Sequence, residues 1–342
     1  MTRLVLVGGG HAHAQVLREF RNFVSKNLDV VVVSEGPRQT YSGMVPGVVA
    51  GHYAVSDAQV DLSALASGAG GALVLDRAVR IDSAARRVVL ASGDALEYDI
   101  LSVNIGAMPA DVPQGATAVR PFDELLVRWR ALLDDRRSAP RVAMVGAGAG
   151  GVELAMAMKY AIDRRGNGGS VELFTDQFNF APEVAARIRR ALRRLSIPLH
   201  VGRMPVDRFD AVFWATGPSP APLARNSGLK TDAQGFLLVD ATLNSVSHPR
   251  IFASGDMASI EGMDVPKSGV YAVRQGPVLA DNLKRVVRGI PLRKYEPQRK
   301  SLVLLSCGGR YAIASRGDWS AEGAWAWRWK DWIDRRWVER FR

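Results

Sequence analysis

A four-residue apolar run, Leu4–Val7, passes directly into Gly8-Gly9-Gly10 and then into AHAQVLREFRNFV over 12–24. A run apolar at every position suits a parallel strand buried on both faces, and the segment after the glycines has helical periodicity. The same pattern returns at Val142–Val145, followed by Gly146-Ala147-Gly148-Ala149-Gly150-Gly151 and a helix over Val152–Ala161. Strand, glycine turn and helix constrain the fold more than anything else here. The first glycine allows the sharp turn, the second lets backbone approach a pyrophosphate, and the third lets helix and strand pack closely. The free amides and positive dipole end of each helix then face an anion. The first unit has Gly8 and Gly10 but His13 at the third position; the second has Gly146, Gly148 and Gly151. Two such units predict an α/β chain with two dinucleotide-binding domains.

After the first unit a strand over Asp29–Ser34 ends at Glu35, a carboxylate placed to accept from adenosine ribose hydroxyls. The matching strand of the second unit, Val171–Phe174, ends on Thr175-Asp176, so its carboxylate comes one position late or is missing. No arginine follows closely to take a 2′-phosphate.

The 342 residues suffice for two domains and a tail. No apolar run reaches the roughly 18–20 residues of a membrane span. No basic segment precedes the first strand, so the expectation is a cytoplasmic protein without a leader. One cysteine, Cys307, excludes an intramolecular disulfide. Five scattered histidines and that one cysteine make no metal-ligand set, so no metal is expected. The net charge of +11 is concentrated at the end: Lys284–Arg342 holds 15 basic and 6 acidic residues and six of the eight tryptophans.

Between the units, GPRQTYSGMVPGVVAGHY over 36–53 reads as a glycine-rich loop that crosses a cofactor ring, its path fixed by Pro46. Asp61–Ala66 predicts a short helix. Ala78–Ile81, Arg87–Ala91 and Glu97–Val103 predict a small β-meander. Arg120–Arg136 is an amphipathic helix. Beyond the second unit come a helix at Glu183–Leu195, strands at Pro198–Val201 and Ala211–Ala215 with a short 202–210 link between them, and a late strand at Leu302–Cys307. From Ala324 the chain reads AWAWRWKDWIDRRWVERFR. A helix would gather Trp325, Trp329, Trp332, Ile333, Trp337 and Phe341 on one side, with Arg328, Asp331, Asp334, Arg335 and Glu339 on the other.

With Ala215-Thr216-Gly217 the chain resembles the pyridine nucleotide-disulphide oxidoreductase superfamily. The resemblance rests on Gly8/Gly10 with Glu35, GAGAGGVELA over 146–155, Asn104-Ile105-Gly106, the strand ending in Gly217, and Pro249–Asp256 with its Gly255-Asp256 pair. It implies two Rossmann-like domains of the three-layer ββα type. The expected order is a discontinuous FAD-binding domain at 1–112 and 241–290, an NAD(P)H-binding domain at 113–240, and a C-terminal hairpin and amphipathic helix at 291–342. Within the superfamily the chain looks most like the type II NADH dehydrogenase and sulfide:quinone reductase branch. YSGMVPGVVAGHY and PKSGVYAVRQGPVLADNL resemble a flavoprotein module also found fused to selenophosphate synthetase. A single cysteine excludes disulfide reductase chemistry and the paired-cysteine route of sulfide:quinone reductases.

The implied FAD contacts are Gly8, Gly9, Gly10, His11, Glu35, Pro46, Gly106, Gly255 and Asp256; the implied NAD(P)H contacts are Gly146, Gly148, Gly151 and Gly217. His11 and His13 are read as acting through backbone alone. Glu153 is either a residue beside the nicotinamide or an exposed first-turn acid. Lys267, Tyr271 and Gln275 fall on or before a helix whose N-terminus faces the flavin, and Glu153, Lys267 and Gln275 are the residues given catalytic roles. The activity implied is hydride transfer from NAD(P)H to FAD and onward to a quinone at the membrane surface, reached by the tail. The alternative for the tail is a helix packed on the protein's own C-terminal strands or on a second subunit. Two rivals stand: an FAD enzyme with a degraded nicotinamide site and another donor, linked to selenium or sulfur metabolism, and a binding protein using the basic tail. Nucleic acid is not expected, because the tail's Trp and Arg residues lie at helical spacing.

Overall fold

The computed structural model describes residues 1–23, 27–135, 139–166, 168–202 and 209–342. Each glycine unit forms strand, turn and helix as the pattern dictates. In the first half, Thr2–Val7 lies at the centre of a parallel sheet ordered Ile251–Ala253, Ile100–Val103, Thr2–Val7, Leu28–Ser34, Ala72–Leu75. In the second, Arg141–Val145 is central to a parallel sheet ordered Thr117–Ala118, Ala211–Trp214, Arg141–Val145, Ser170–Thr175, Leu199–Val201. Both are Rossmann-like. The sequence ends Val24 and Arg136, and the body of the 202–210 link, lie outside the described residues.

The helices are α1 (His11–Phe20), α2 (Val45–Val49), α3 (Leu62–Gly68), α4 (Phe122–Asp134), α5 (Ala149–Arg165), α6 (Pro182–Arg194), α7 (Leu223–Asn226), α8 (Gly269–Arg288) and α9 (Ala324–Glu339). Asp61 caps α3 by accepting from Ala64 N–H at 2.9 Å. Pro182 opens α6, and Gly289, with φ +67°, closes α8.

Three sequence readings are corrected. The 36–53 segment is not a plain loop: VPGVV forms α2, whose Val45 and Val49 pack in the second core, where Trp129 Nε1 donates to Val49 O at 3.1 Å. The Glu97–Val103 strand divides, because its last four residues leave the antiparallel meander (78–82, 87–90, 95–97) for the first sheet. The chain also returns to the first half earlier than residue 240. Met108-Pro109 pairs with Pro218-Ser219 where the two crossings meet, and Leu223, Ala224, Leu229 and Leu237 already pack in the first core.

The third element is the sheet of Leu302–Ser306, Ala312–Arg316 and Trp319–Gly323, antiparallel, followed by α9. It joins the second half through Leu305, Cys307 and Ile313, and Glu322 pairs with Arg190 at 3.0 Å. α9 departs from the stripe read in its sequence. Trp337, Val338 and Phe341 are buried in the first core, and Asp334, assigned to the polar side, is buried beside them. The exposed aromatics are Trp319, Trp325, Trp329 and Trp332, at 38–56%.

Candidate functional site

Gly8 turns the chain at φ +91°, its N–H donating to Val33 O at 2.8 Å. A Cβ at Gly8 or Gly10 would overlap Asn104, and one at Gly9 would overlap Leu62. Asn104 is the residue that locks this turn. Its backbone oxygen accepts from Gly10 N–H at 3.2 Å, its Oδ1 accepts from Ala12 N–H at 3.2 Å, and its Nδ2 donates to Ser254 O at 2.7 Å.

The histidines act through their rings as well as their backbone. His13 is wholly buried, with Nδ1 2.6 Å from Gly8 O and Nε2 2.8 Å from Ser102 Oγ. Burial pushes its pKa down to about 4. The neutral ring therefore donates from Nδ1 to Gly8 and accepts at Nε2 from the Ser102 hydroxyl. At the matching place in the second unit, a Cβ on Gly151 would overlap Gly146 O. The first helix stands off where the second is in contact, and imidazole fills the gap. His11 lies 5.4 Å from the Tyr41 ring and 5.1 Å from Trp337, with Nε2 3.3 Å from Ser42 Oγ. Burial, with Arg120 adding and Asp256 opposing, lowers its pKa to about 4.

Glu35 is exposed just past its strand. Gly106 and Gly255 take φ +74° and +69°. Gly255 N–H donates to Gln275 Oε1 at 2.6 Å, so Gln275 sits beneath that turn, buried, and supports it from below. Asp256 is 2.7 Å from Arg120 Nη1.

In the second unit Gly146 turns at φ +100° and donates to Phe174 O at 2.8 Å, repeating the Gly8–Val33 bond. The registers Val7↔Val33 and Val145↔Phe174 place Glu35 and Asp176 at the same step, two residues on. Thr175, taken from the sequence as the missing carboxylate position, is instead buried, its Oγ1 donating to Gln177 O at 2.5 Å. A Cβ on Gly148, Gly150 or Gly217 would meet nothing, so backbone is open to a ligand there.

A groove of about 1250 Å³ connects these parts. It is lined by Gly146–Gly151 and Asp176, by Pro46, Arg120 and Lys267, and by Val303–Leu305, Lys330, Ile333, Asp334 and Trp337. Glu153 faces the groove, half-buried, and its Oε1 accepts from Ser306 N–H at 2.8 Å. Burial pushes its pKa up to about 7, with Lys330 and the Ser306 amide opposing. Of the two sequence readings, the exposed first-turn acid is excluded. Lys330 Nζ donates to Asp334 Oδ2 and to Gly43 O, each at 2.8 Å. Burial disfavours the Lys330 charge, but Asp334 and Glu153 outweigh it and hold its pKa above the usual value. Trp337 stacks on Tyr41 at 4.1 Å, and burial, then Asp334, raises the Tyr41 phenol well above its ordinary pKa. Lys267 Nζ donates to Ala258 O and lies 4.2 Å over the Phe236 ring. Lys330, Tyr41 and Arg120 were not read from the sequence as site residues, Asn104 entered only as part of a turn motif and Asp334 only as a polar-face residue; a Lys–Asp pair one turn apart in a Trp-rich helix was the available signal for Lys330 and Asp334.

The family model for pyridine nucleotide-disulphide oxidoreductases matches residues 2–208 and 205–276. The chain belongs to that family. Among relatives, an alternative NAD(P)H-ubiquinone oxidoreductase of Arabidopsis thaliana is 25% identical, over 91% of this chain and 72% of its own length. The NADH dehydrogenase-like protein YutJ of Bacillus subtilis is 22% identical over 91% of both. The demethylphylloquinone reductase NdbB of Synechocystis is 29% identical over 48% of this chain and 46% of its own. The sulfide:quinone oxidoreductase structure from Aquifex aeolicus superposes with a TM-score of 0.82 at 18% identity, over 100% of this chain and 92% of that one.

The protein is therefore an FAD-dependent oxidoreductase with NAD(P)H as co-substrate. Its residues fit both groups: the first turn ends at the free end of α1, and beside it the Ser254 hydroxyl is buried without a partner among the described residues. The second turn presents bare backbone to the groove. With one cysteine, the disulphide of the family's name is not formed within this chain.

Proposed function

We propose that this protein is an NADH:quinone reductase working at a membrane surface. FAD, when bound, would supply the redox chemistry, two-electron exchange between the nicotinamide and the quinone. The observation that carries the reading is the continuity of the groove. The second glycine turn, the charged groups Lys330, Asp334 and Glu153 and the apolar Leu304, Ile333 and Trp337 all line this one groove.

Over the second glycine turn, the α5 N-terminus would face the pyrophosphate, and Asp176 would accept from the adenosine ribose hydroxyls. The same carboxylate repels a 2′-phosphate, which favours NADH over NADPH. This weighs against a degraded nicotinamide site. Beside Glu153 and Lys330, reduction of a quinone to a quinol would consume two protons. A carboxyl with pKa about 7 exchanges one near neutrality. Lys330, its charge held by Asp334, donates a hydrogen bond to the carbonyl oxygen that becomes negative. Leu304, Ile333 and Trp337 keep water away and suit an apolar ring.

No helix among the described residues is long and apolar enough to cross a membrane. The outer side of α9 supports a peripheral attachment, for which our reading takes the inner face of the cell membrane. Trp325, Trp329 and Trp332 project beside Arg328 and Arg336, with Trp319 on the adjoining strand. Such a surface seats tryptophan at the headgroup level and gains about 1 kcal/mol per basic residue near anionic lipid. The test compares NADH oxidation by the parent and by a W325S/W329S/W332S variant, using quinone embedded in anionic vesicles or a water-soluble analogue. The variant is expected to lose activity with the embedded quinone alone. Equal rates with both quinones would overturn the membrane part.

A further inference from the structure

Asn104 and Ala215 hold the same place in the two halves, each just past a strand that pairs with the central one. The registers Val7↔Val103 and Val145↔Trp214 match. Asn104 N–H then donates to Val7 O at 2.8 Å, and Ala215 N–H to Val145 O at 2.6 Å. A Cβ on Gly8 would overlap Asn104 O, as one on Gly146 would overlap Ala215 O. The side chains are where the halves part. A Cβ on Gly10 would overlap Asn104 Oδ1, whereas one on Gly148 would meet nothing. The room left open beside the second turn is filled, beside the first, by a carboxamide.

That carboxamide, on a residue only 2% exposed, is engaged at both ends. Oδ1 accepts from Ala12 N–H at 3.2 Å, in the first turn of α1, and Nδ2 donates to Ser254 O at 2.7 Å. Ser254 leads into the Gly255 turn, where a Cβ would overlap Nδ2. The acceptor must face Ala12 and the donor Ser254, so the orientation of the carboxamide is fixed. Segments 92 and 150 residues away are tied together through one side chain. Ala215 offers a methyl in its place, which can neither accept nor donate.

We propose that Asn104 is a positioning residue for FAD, one that fixes the Gly8–Gly10 turn against the Gly255 turn before the cofactor arrives. A site already in its bound shape loses less affinity to the ordering of backbone. The second turn, beside Ala215, is not tied in this way, which suits a co-substrate that binds and leaves in every turnover. One side-chain difference between two otherwise matching units then separates a retained cofactor from an exchanging one. The inference rests on the FAD assignment, and it fails separately, because FAD carried by the purified parent protein reports on that assignment alone.

The test follows FAD release from the full-length holoprotein on dilution, by the rise of free-flavin fluorescence, and NAD+ binding at saturating FAD by calorimetry. The variants are N104A, N104D and, as a control for lost packing alone, V88A, a wholly buried site on the meander. N104A is expected to weaken FAD binding about tenfold or more, since it strands Ala12 N–H and Ser254 O, and to leave NAD+ affinity within twofold of the parent. V88A is expected to hold FAD like the parent. N104D supplies the readout that a merely structural role would not move. Its ionised carboxylate sets a second acceptor against Ser254 O, whereas the protonated carboxyl can donate there as the amide does. N104D is therefore expected to resemble N104A at pH 8 and to recover most of the parent affinity at pH 5.5. N104A holding FAD within twofold of the parent would overturn the proposal. So would equal losses of FAD and NAD+ binding, or an N104D-to-parent ratio that is the same at both pH values. Should N104A fold poorly, the pH dependence of N104D, read on one folded sample, decides by the same criterion.

Discussion

Lys330 Nζ lies 2.8 Å from Asp334 Oδ2, one turn along α9, and the same ammonium donates to Gly43 O in the segment leading into α2. The pair is nearly closed to solvent, with side chains 12% and 7% exposed. Removing one partner of such a pair leaves a buried charge unmatched. Lys330→Met is expected to destabilise the protein by about 3–5 kcal/mol, and K330M/D334L by much less. Urea unfolding of the two variants checks this; equal destabilisation would mean that the ion pair is not what the variants disturb. The double variant should still take hydride from NADH but pass electrons to quinone about tenfold more slowly or worse.

Glu153 gives stability a pH signature. Its pKa rises from the ordinary 4.5 to about 7, so between those values the folded protein keeps a proton that the unfolded chain has lost. Folding is relatively favoured at pH 5, and the advantage is gone above pH 7, where burial of the carboxylate becomes a penalty. Glu153→Gln is expected to raise stability over the parent at pH 8 by about 2 kcal/mol and to change it little at pH 5. A gain independent of pH would show that Glu153 does not titrate in this window.

The matching registers put Asp176, not Thr175, at the step that Glu35 occupies in the first unit, and the proposed nucleotide selection rests on it. Asp176→Ala is expected to raise the KM for NADH about tenfold and to narrow the preference over NADPH, as loss of a ribose hydrogen bond does. Thr175→Glu is expected to bring no gain in NADH binding, because that side chain points into a buried turn. Steady-state kinetics with both nucleotides checks the pair, and a tighter KM in Thr175→Glu would reverse the assignment.

His13 stands where the fingerprint asks for glycine, yet restoring glycine is expected to harm the protein. His13→Gly leaves Gly8 O and the Ser102 hydroxyl without their buried partner and opens a void. A loss of about 1–3 kcal/mol in unfolding free energy is expected, with weaker FAD retention. An unchanged or higher stability would mean that α1 closes onto its strand as α5 does.

Much of this was legible in the sequence, for a physical reason. Leu4–Val7 with Gly8 and Gly10, and Val142–Val145 with Gly146, Gly148 and Gly151, are local signals, since strand, turn and helix follow from neighbouring residues. The corrections arose where distant contacts decide. Glu97–Val103 divides because Ile100 pairs with Leu4 of another strand. Asp334 reads as a polar-face residue until Lys330 and the 41–43 segment surround it. Trp337 and Phe341 were grouped in one stripe with Trp325 and Trp329, but the face of α9 that packs on the protein runs through Ala326, Asp334, Trp337 and Val338 and leaves Trp325, Trp329 and Trp332 outside. His13 gave no signal, because helical spacing does not say what a side chain meets across ninety residues of chain. Asp176 was misplaced by counting along the sequence, which cannot register one strand against the next.

The central claim, that electrons run from NADH through bound FAD to a quinone, is tested most directly by an anaerobic titration of the purified yellow protein. An equimolar addition of NADH is expected to bleach the oxidised-flavin absorbance, and a following addition of a water-soluble quinone to restore it in full. Flavin that stays oxidised under excess NADH, or reduced flavin that quinone does not reoxidise, would contradict it.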